Sequence, residues 1–150
     1  MSYQARGRTF DQFELGEVIV TARRTITEAD IVNFAGLSGD FNPLHTDEEF
    51  ARQTPFGQRI AHGMLVASVA TGLANQLGVF EGTTLALLEQ TVRYKGAVLP
   101  GDTIRLELRV AEKKESSKAD RGVIAFETLI KNQRDETVID GRWVLLMRRG

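Results

Sequence analysis

Residues 60–78, IAHGMLVASVATGLANQLG, are the one stretch in which apolar and small side chains run all the way round a helical wheel. No charged residue lies between Met64 and Leu77. The pattern predicts a helix buried on every side, stopped by Gly78 and about 21 Å long, too short to cross a bilayer. Its small residues Ala67, Ser68, Ala70, Gly72 and Ala74 let strands approach the backbone closely, so it is expected to be a rod wrapped by a sheet.

Upstream, a polar arm precedes a modest strand over 17–25, where Val18 and Val20 alternate with Ile19 and Thr21. Thr27 and Asp30 have capping-box spacing, and Ile31, Phe34 and Ala35 supply a helical apolar face up to Gly39. A loop over 40–45, a short polar helix over 47–52 capped by Thr46 or Asp47, and a turn through Pro55 and Gly57 lead into the buried helix. Beyond it the period changes from helical to alternating. Four strands are expected, over 83–95, 103–110, 123–131 and 137–147. Pro100-Gly101-Asp102 turns between the first two, the charged run 112–121 reads as an exposed connection, and 132–136 turns between the last two. A buried helix followed by an antiparallel meander defines an α+β architecture with a curved sheet around a central helix.

The composition narrows the function. With 150 residues, 42% hydrophobic and 26% charged, the chain suits one domain over 1–150 with one core. A net charge of -1, with basic residues spread among acidic ones, gives no nucleic-acid footprint. The absence of cysteine removes disulfides, thiolate nucleophiles and cysteine-ligated metals. The N-terminal MSYQARGRTF lacks the apolar core of a secretory signal and no apolar run is of membrane-spanning length, so a cytosolic location is expected.

Two motifs carry the chemistry: Ser38-Gly-Asp-Phe-Asn-Pro-Leu-His45, and Ile60-Ala-His-Gly-Met64 at the head of the buried helix. Taken alone, Asp40 could cap a turn and His45 the helix after it. Taken together, they closely resemble the hydratase motif of the MaoC-like, (R)-specific enoyl-CoA hydratase family. The resemblance extends over most of the chain, including the strand that ends in Val98-Leu-Pro-Gly-Asp102. It implies a hot-dog fold and reversible addition of water to a trans-2-enoyl-CoA, giving the (R)-3-hydroxyacyl-CoA. By the same resemblance Asp40 and His45 are the catalytic pair. There are two departures: Gly96, where the family often has proline, and Thr71, where a serine supporting the catalytic aspartate is sometimes found.

These residues suit that reaction. Hydration of an unsaturated thioester requires a base to activate water, an acid to protonate the α-carbon, and a donor for the enolate oxygen. Asp40 and His45 lie on one short loop stiffened by Pro43 and can hold one water from two directions. The Gly63 N–H, at a helix N-terminus, suits the developing oxyanion, and the missing side chain leaves room for the thioester. Asn42 is expected to orient the loop and His62 to fix the glycine turn. Arg93 and Lys95 are candidates for the coenzyme A phosphates, and the acyl pocket is expected along the helix near Ala74, Leu73 and Leu77. A metal site from Asp40, His45 and His62 matches no ligand spacing, so no metal and no cofactor beyond the thioester substrate are expected.

A homodimer is expected because the family's units pair through their sheets. The rival readings are the same chemistry on acyl carrier protein or branched dicarboxylic thioesters, a non-catalytic acyl-thioester-binding subunit, and thioester hydrolysis, which needs a differently placed carboxylate.

Overall fold

A computed structural model describes residues 1–150. In chain order its elements are β1 (Val18–Val20), β2 (Arg24–Thr25), α1 (Glu28–Ser38), α2 (Pro43–Thr46), α3 (Glu48–Arg52), α4 (Gly63–Gln76), β3 (Thr84–Tyr94), β4 (Thr103–Glu115), β5 (Arg121–Lys131) and β6 (Thr137–Arg148). The antiparallel sheet has the spatial order β1-β4-β5-β6-β3, and β2 also pairs with β4.

The alternation in β4 shows why the sheet holds the helix. Ile104, Leu106, Leu108 and Val110 are each 0% exposed, while Arg105, Glu107 and Arg109 take the other face. These four join Leu65, Val66, Ala70, Leu73 and Ala74 of α4 in a core cluster of 24 residues. Fully burying each such aliphatic side chain contributes roughly 1.5–3 kcal/mol, so this seam is a main source of stability.

Several boundaries differ from expectation. β4 continues past Val110 through the charged residues: a bulge at Val110/Glu112 resets the alternation, and pairing with β5 runs on to Glu115↔Gly122. The ladder depends on backbone groups, and Lys113 finds the Phe13 carbonyl at 2.7 Å, so polar side chains do not end the strand. The expected strand over 17–25 is broken into β1 and β2. At the break Thr21 uses its hydroxyl, as well as its N–H, to bond Leu106. The arm before it is not simply polar: Phe10 and Phe13 enter the core, Phe13 stacking on Phe80 at 5.8 Å and meeting Phe126 edge-on at 5.5 Å.

The central helix begins at Gly63, the N-terminus expected for it, and Ala61 just before it donates to the Val98 carbonyl at 2.8 Å. It is not buried all round, however. Met64, Ser68 and Asn75 are exposed and Thr71 partly so, forming one open stripe at spacings of four, three and four. The polar members satisfy themselves locally, Ser68 on the Met64 carbonyl, Thr71 on the Ser68 carbonyl and Asn75 on the Thr71 carbonyl. A stripe that is uncharged yet locally satisfied is indistinguishable in sequence from a buried one.

Candidate active site

The motif loop is built by local capping. Gly39 ends α1 in the left-handed conformation at φ 79°, which glycine adopts without a Cβ penalty, and turns the chain toward α2. Asp40 N–H donates to Ser38 Oγ at 3.1 Å, and Asp40 Oδ1 accepts the Asn42 N–H at 3.1 Å. Asn42 Oδ1 in turn accepts the Leu44 N–H at 3.1 Å, and Pro43 occupies the first helical position, where its missing N–H costs nothing. Asn42 therefore sets the turn between the two motif residues. Asp47, not His45, caps the following helix through the Phe50 N–H at 3.0 Å.

His45 projects from α2 with Nδ1 2.8 Å from the Ile60 carbonyl oxygen. A carbonyl only accepts, so Nδ1 carries the hydrogen and Nε2 of the neutral ring is left with its lone pair. His62 Nε2 lies 2.9 Å from the Asp40 carbonyl oxygen. Thus His62 holds the Asp40 main chain, not the glycine turn it was expected to fix. The two imidazoles stack with centroids 3.9 Å apart and planes 28° apart.

Asp40, His45 and His62 each bring one nitrogen or carboxylate oxygen to within 4.8 Å of the others. Two hydrogen bonds of about 2.8 Å span up to about 5.6 Å, so a single water fits between the carboxylate and an imidazole. One nitrogen of each ring already meets a main-chain carbonyl.

These groups line a cavity of about 620 Å³, whose walls include Phe34, Phe56, Ile60, Met64, Val66, Val98 and Ile139. Gly63, the first residue of α4, is also in the wall, and its N–H has no acceptor within the helix. The space beside its Cα is not open, however: a Cβ built there would sit 2.3 Å from Tyr94 Cε1. The glycine is thus demanded by Tyr94, a residue that sequence reasoning missed because no periodicity ties the end of β3 to the start of α4.

Of the other candidates, Lys95 lines the cavity and is half-exposed, with Nζ 4.0 Å from Asp140. Arg93 does not reach it. Its guanidinium bonds Asp140 at 2.5 Å and faces a separate depression on the outer side of the sheet. Ala74 is fully buried in the core, away from the cavity lining. Thr71 does not support Asp40, since its hydroxyl donates to the Ser68 carbonyl at 2.6 Å two turns along the helix.

Arg59, also missed, braces the segment that holds His45. It bonds Glu28 of α1 at 2.6 and 2.9 Å and Glu48 of α3 at 3.3 Å, and the Glu28 hydrogen bond raises its guanidinium further above the ordinary value. Nothing in the sequence singles out this arginine from its neighbours.

The curved sheet around a central helix is the hot-dog fold, with Asp40, His45 and His62 brought together in the wall that also contains the first residue of α4. The MaoC like domain description matches residues 11–131, and the chain belongs to that family. It is 41% identical over 104 residues to Protein MaoC of Klebsiella aerogenes, covering 69% of this chain but only 31% of that one. It is 36% identical over 117 residues to the (R)-specific enoyl-CoA hydratase of Aeromonas caviae, covering 78% of this chain and 83% of that one. A solved structure from Archaeoglobus fulgidus, described as a monoamine oxidase regulatory protein, superposes with a TM-score of 0.89 at 38% identity over 96% of both chains.

Proposed function

We propose that the protein is a hydro-lyase that reversibly hydrates trans-2-enoyl-CoA to (R)-3-hydroxyacyl-CoA. The observation that carries this reading is that Asp40 and His45, whose polar atoms approach within 4.8 Å, share the wall of one mainly apolar cavity with Gly63, the first residue of α4. The likeness to the Aeromonas caviae enzyme supports the substrate class and the hand of the product.

In this mechanism, a water is held by the Asp40 carboxylate and by Nε2 of His45, which the Ile60 carbonyl leaves as the acceptor. As the water oxygen bonds C3, one of its hydrogens passes to the pair and the C2=C3 π electrons move into the thioester carbonyl. The resulting enolate oxygen accepts the Gly63 N–H, a contact of the kind worth about 2.7–4 kcal/mol. Re-formation of the carbonyl draws a proton from the pair onto C2, so the elements of water add to one face. The apolar walls accept the acyl chain, and Lys95, a half-exposed cation in the cavity wall, meets the coenzyme A phosphates in this reading.

The same reading includes a homodimer in the cytosol. β3 is an edge strand bearing the exposed leucines 85, 87 and 88, and the open stripe of α4 is flanked by that strand: Ala67 and Val92 share one small void. No helix is long and apolar enough to cross a membrane.

The decisive experiment is to follow loss of the conjugated thioester absorbance on a series of enoyl-CoA chain lengths, with chiral analysis of the product in deuterium oxide. Syn addition giving the (R) alcohol is expected. Predominantly (S) product, or no hydration at any length, would overturn the reading.

A further inference from the structure

His62 is among the most buried polar residues of the chain, at 2% exposure, and the Nδ1 atom of its ring has no hydrogen-bond partner. A buried nitrogen left unpaired costs on the order of 1–3 kcal/mol, so its retention calls for a reason beyond packing. Any apolar side chain of similar size would avoid that cost. The Nδ1 atom is also sealed from solvent, so it is not placed to take a proton from a bound water.

Three contacts supply the reason. Nε2 donates to the Asp40 carbonyl oxygen at 2.9 Å, across 22 residues of sequence. One ring face lies against the His45 ring at 3.9 Å, and the Phe34 ring closes on His62 at 4.9 Å. The main chain of His62 is the N-cap of α4, directly before the Gly63 N–H. One side chain therefore touches the element carrying the carboxylate and the ring of the base, and is bonded through its own backbone to the oxyanion donor.

We propose that His62 is a positioning residue that holds the proton-transfer pair in register with the Gly63 N–H. Its hydrogen bond fixes the Asp40 main chain, and its ring is the platform on which His45 is seated. It transfers no proton. This role requires the Nε2–H tautomer for His62, opposite to the Nδ1–H tautomer that the Ile60 carbonyl demands of His45. The inference rests on the hydratase reading for the identity of the pair, but the tautomer requirement does not.

Two measurements test it. The chain has only two histidines, so a long-range proton–nitrogen NMR spectrum of the neutral rings is resolved by comparison with His62→Gln. Opposite tautomers are expected, with hydrogen on Nε2 of His62, and a hydrogen on Nδ1 of His62 would overturn the proposal whether or not the protein hydrates enoyl-CoA. The second measurement is kinetic, at a temperature well below the lowest Tm of the set. His62→Phe keeps a ring against His45 but loses the donor, and His62→Gln keeps a donor of similar reach. The phenylalanine variant is expected to lose up to about a hundredfold in kcat with little change in KM, as misplacement of a catalytic group by about 1 Å does.

The glutamine variant should recover part of that loss. A phenylalanine variant with unchanged kcat, or a glutamine variant no better than it at equal Tm, would mean that His62 only fills space. If the phenylalanine variant does not fold, the wild-type tautomers decide. Inertness of the wild-type protein on every enoyl-CoA would instead remove the hydratase reading and leave the tautomer result standing.

Discussion

Tyr94 lays its ring over Gly63, occupying the place where any other residue would carry its side chain. A Cβ at position 63 would fall 2.3 Å from Cε1 and 2.7 Å from Cδ1 of that ring. Real contacts of this kind do not occur, so Gly63→Ala must push the half-exposed tyrosine outward or displace the head of α4. The two responses differ in what they do to catalysis.

If the tyrosine yields, the N–H of residue 63 stays in place and kcat is nearly preserved. If the helix head moves, the N–H proposed as the oxyanion donor moves with it, and kcat is expected to fall by about a hundred- to a thousandfold. The double variant Gly63→Ala with Tyr94→Ala separates them. Relief of the clash should restore both Tm and kcat relative to Gly63→Ala alone. A double variant as slow as the single one at a recovered Tm would show that position 63 acts through something other than its contact with Tyr94.

The acid–base pair proposed above, Asp40 and His45, makes a sharper prediction. Asp40→Asn and His45→Gln each replace an exposed or half-buried side chain outside the core, so Tm should change little. Each should lower kcat by about a hundred- to ten-thousandfold, and the double variant should be little worse than either single, because groups that share one water act as a unit. Near-normal hydration of crotonyl-CoA by either single variant would remove that residue from the chemistry.

How far the sequence shows this site depends on the range of each interaction. The capping logic of 38–47 is local, and Asn42, Pro43 and Asp47 occupy the positions their residue types favour. The alternation of β4 likewise placed its buried face correctly, since a period of two leaves no choice once one face is apolar. What could not be read were the contacts between distant segments: Tyr94 on Gly63, Arg59 on Glu28 and Glu48, His62 on Asp40. Arg93 and Thr71 failed for a related reason. The charge of Arg93 and the family's serine at the place of Thr71 make them candidates, whereas the face that β3 turns outward and the local acceptor one turn away on α4 decide where those side chains go.

Acid should loosen α1. Burial pushes the Asp30 carboxyl up, but the Thr27 backbone N–H, the Thr27 side chain and the Arg24 guanidinium outweigh it, leaving the carboxyl below its ordinary value. A group with a lowered folded pKa contributes stability that is fully present above its unfolded value, about 3.9, and is lost as pH falls through the folded one. Asp30→Asn should therefore cost roughly 0.5–2 kcal/mol at pH 7, the range for a lost helix cap, in urea unfolding. The gap between wild type and variant should close as pH falls below about 4. A gap that is constant with pH would show that the carboxylate charge contributes nothing.

The edge strand gives the last prediction. Leu87 pairs with Leu145, and because directly opposed residues share a face, it lies on the inner side of the sheet beside a buried core residue. Yet Leu87 is 52% exposed, and Leu85 and Leu88 on the same strand are 47% and 53% exposed. The core thus runs up to the edge and stops without a cover, which is the arrangement natural sheets avoid unless another chain completes it. A second copy pairing along β3 would extend the sheet and bury these leucines.

Leu87→Arg places a charge in that seam while removing little from the core of one chain, so the variant should fold but sediment at half the mass of the dimer proposed for the wild type. Leu15→Arg, at a still more exposed leucine far from β3 in sequence, should leave the mass unchanged. A wild-type protein that sediments as a monomer at all concentrations, or a Leu87→Arg variant that remains dimeric, would show that β3 is not where the copies meet.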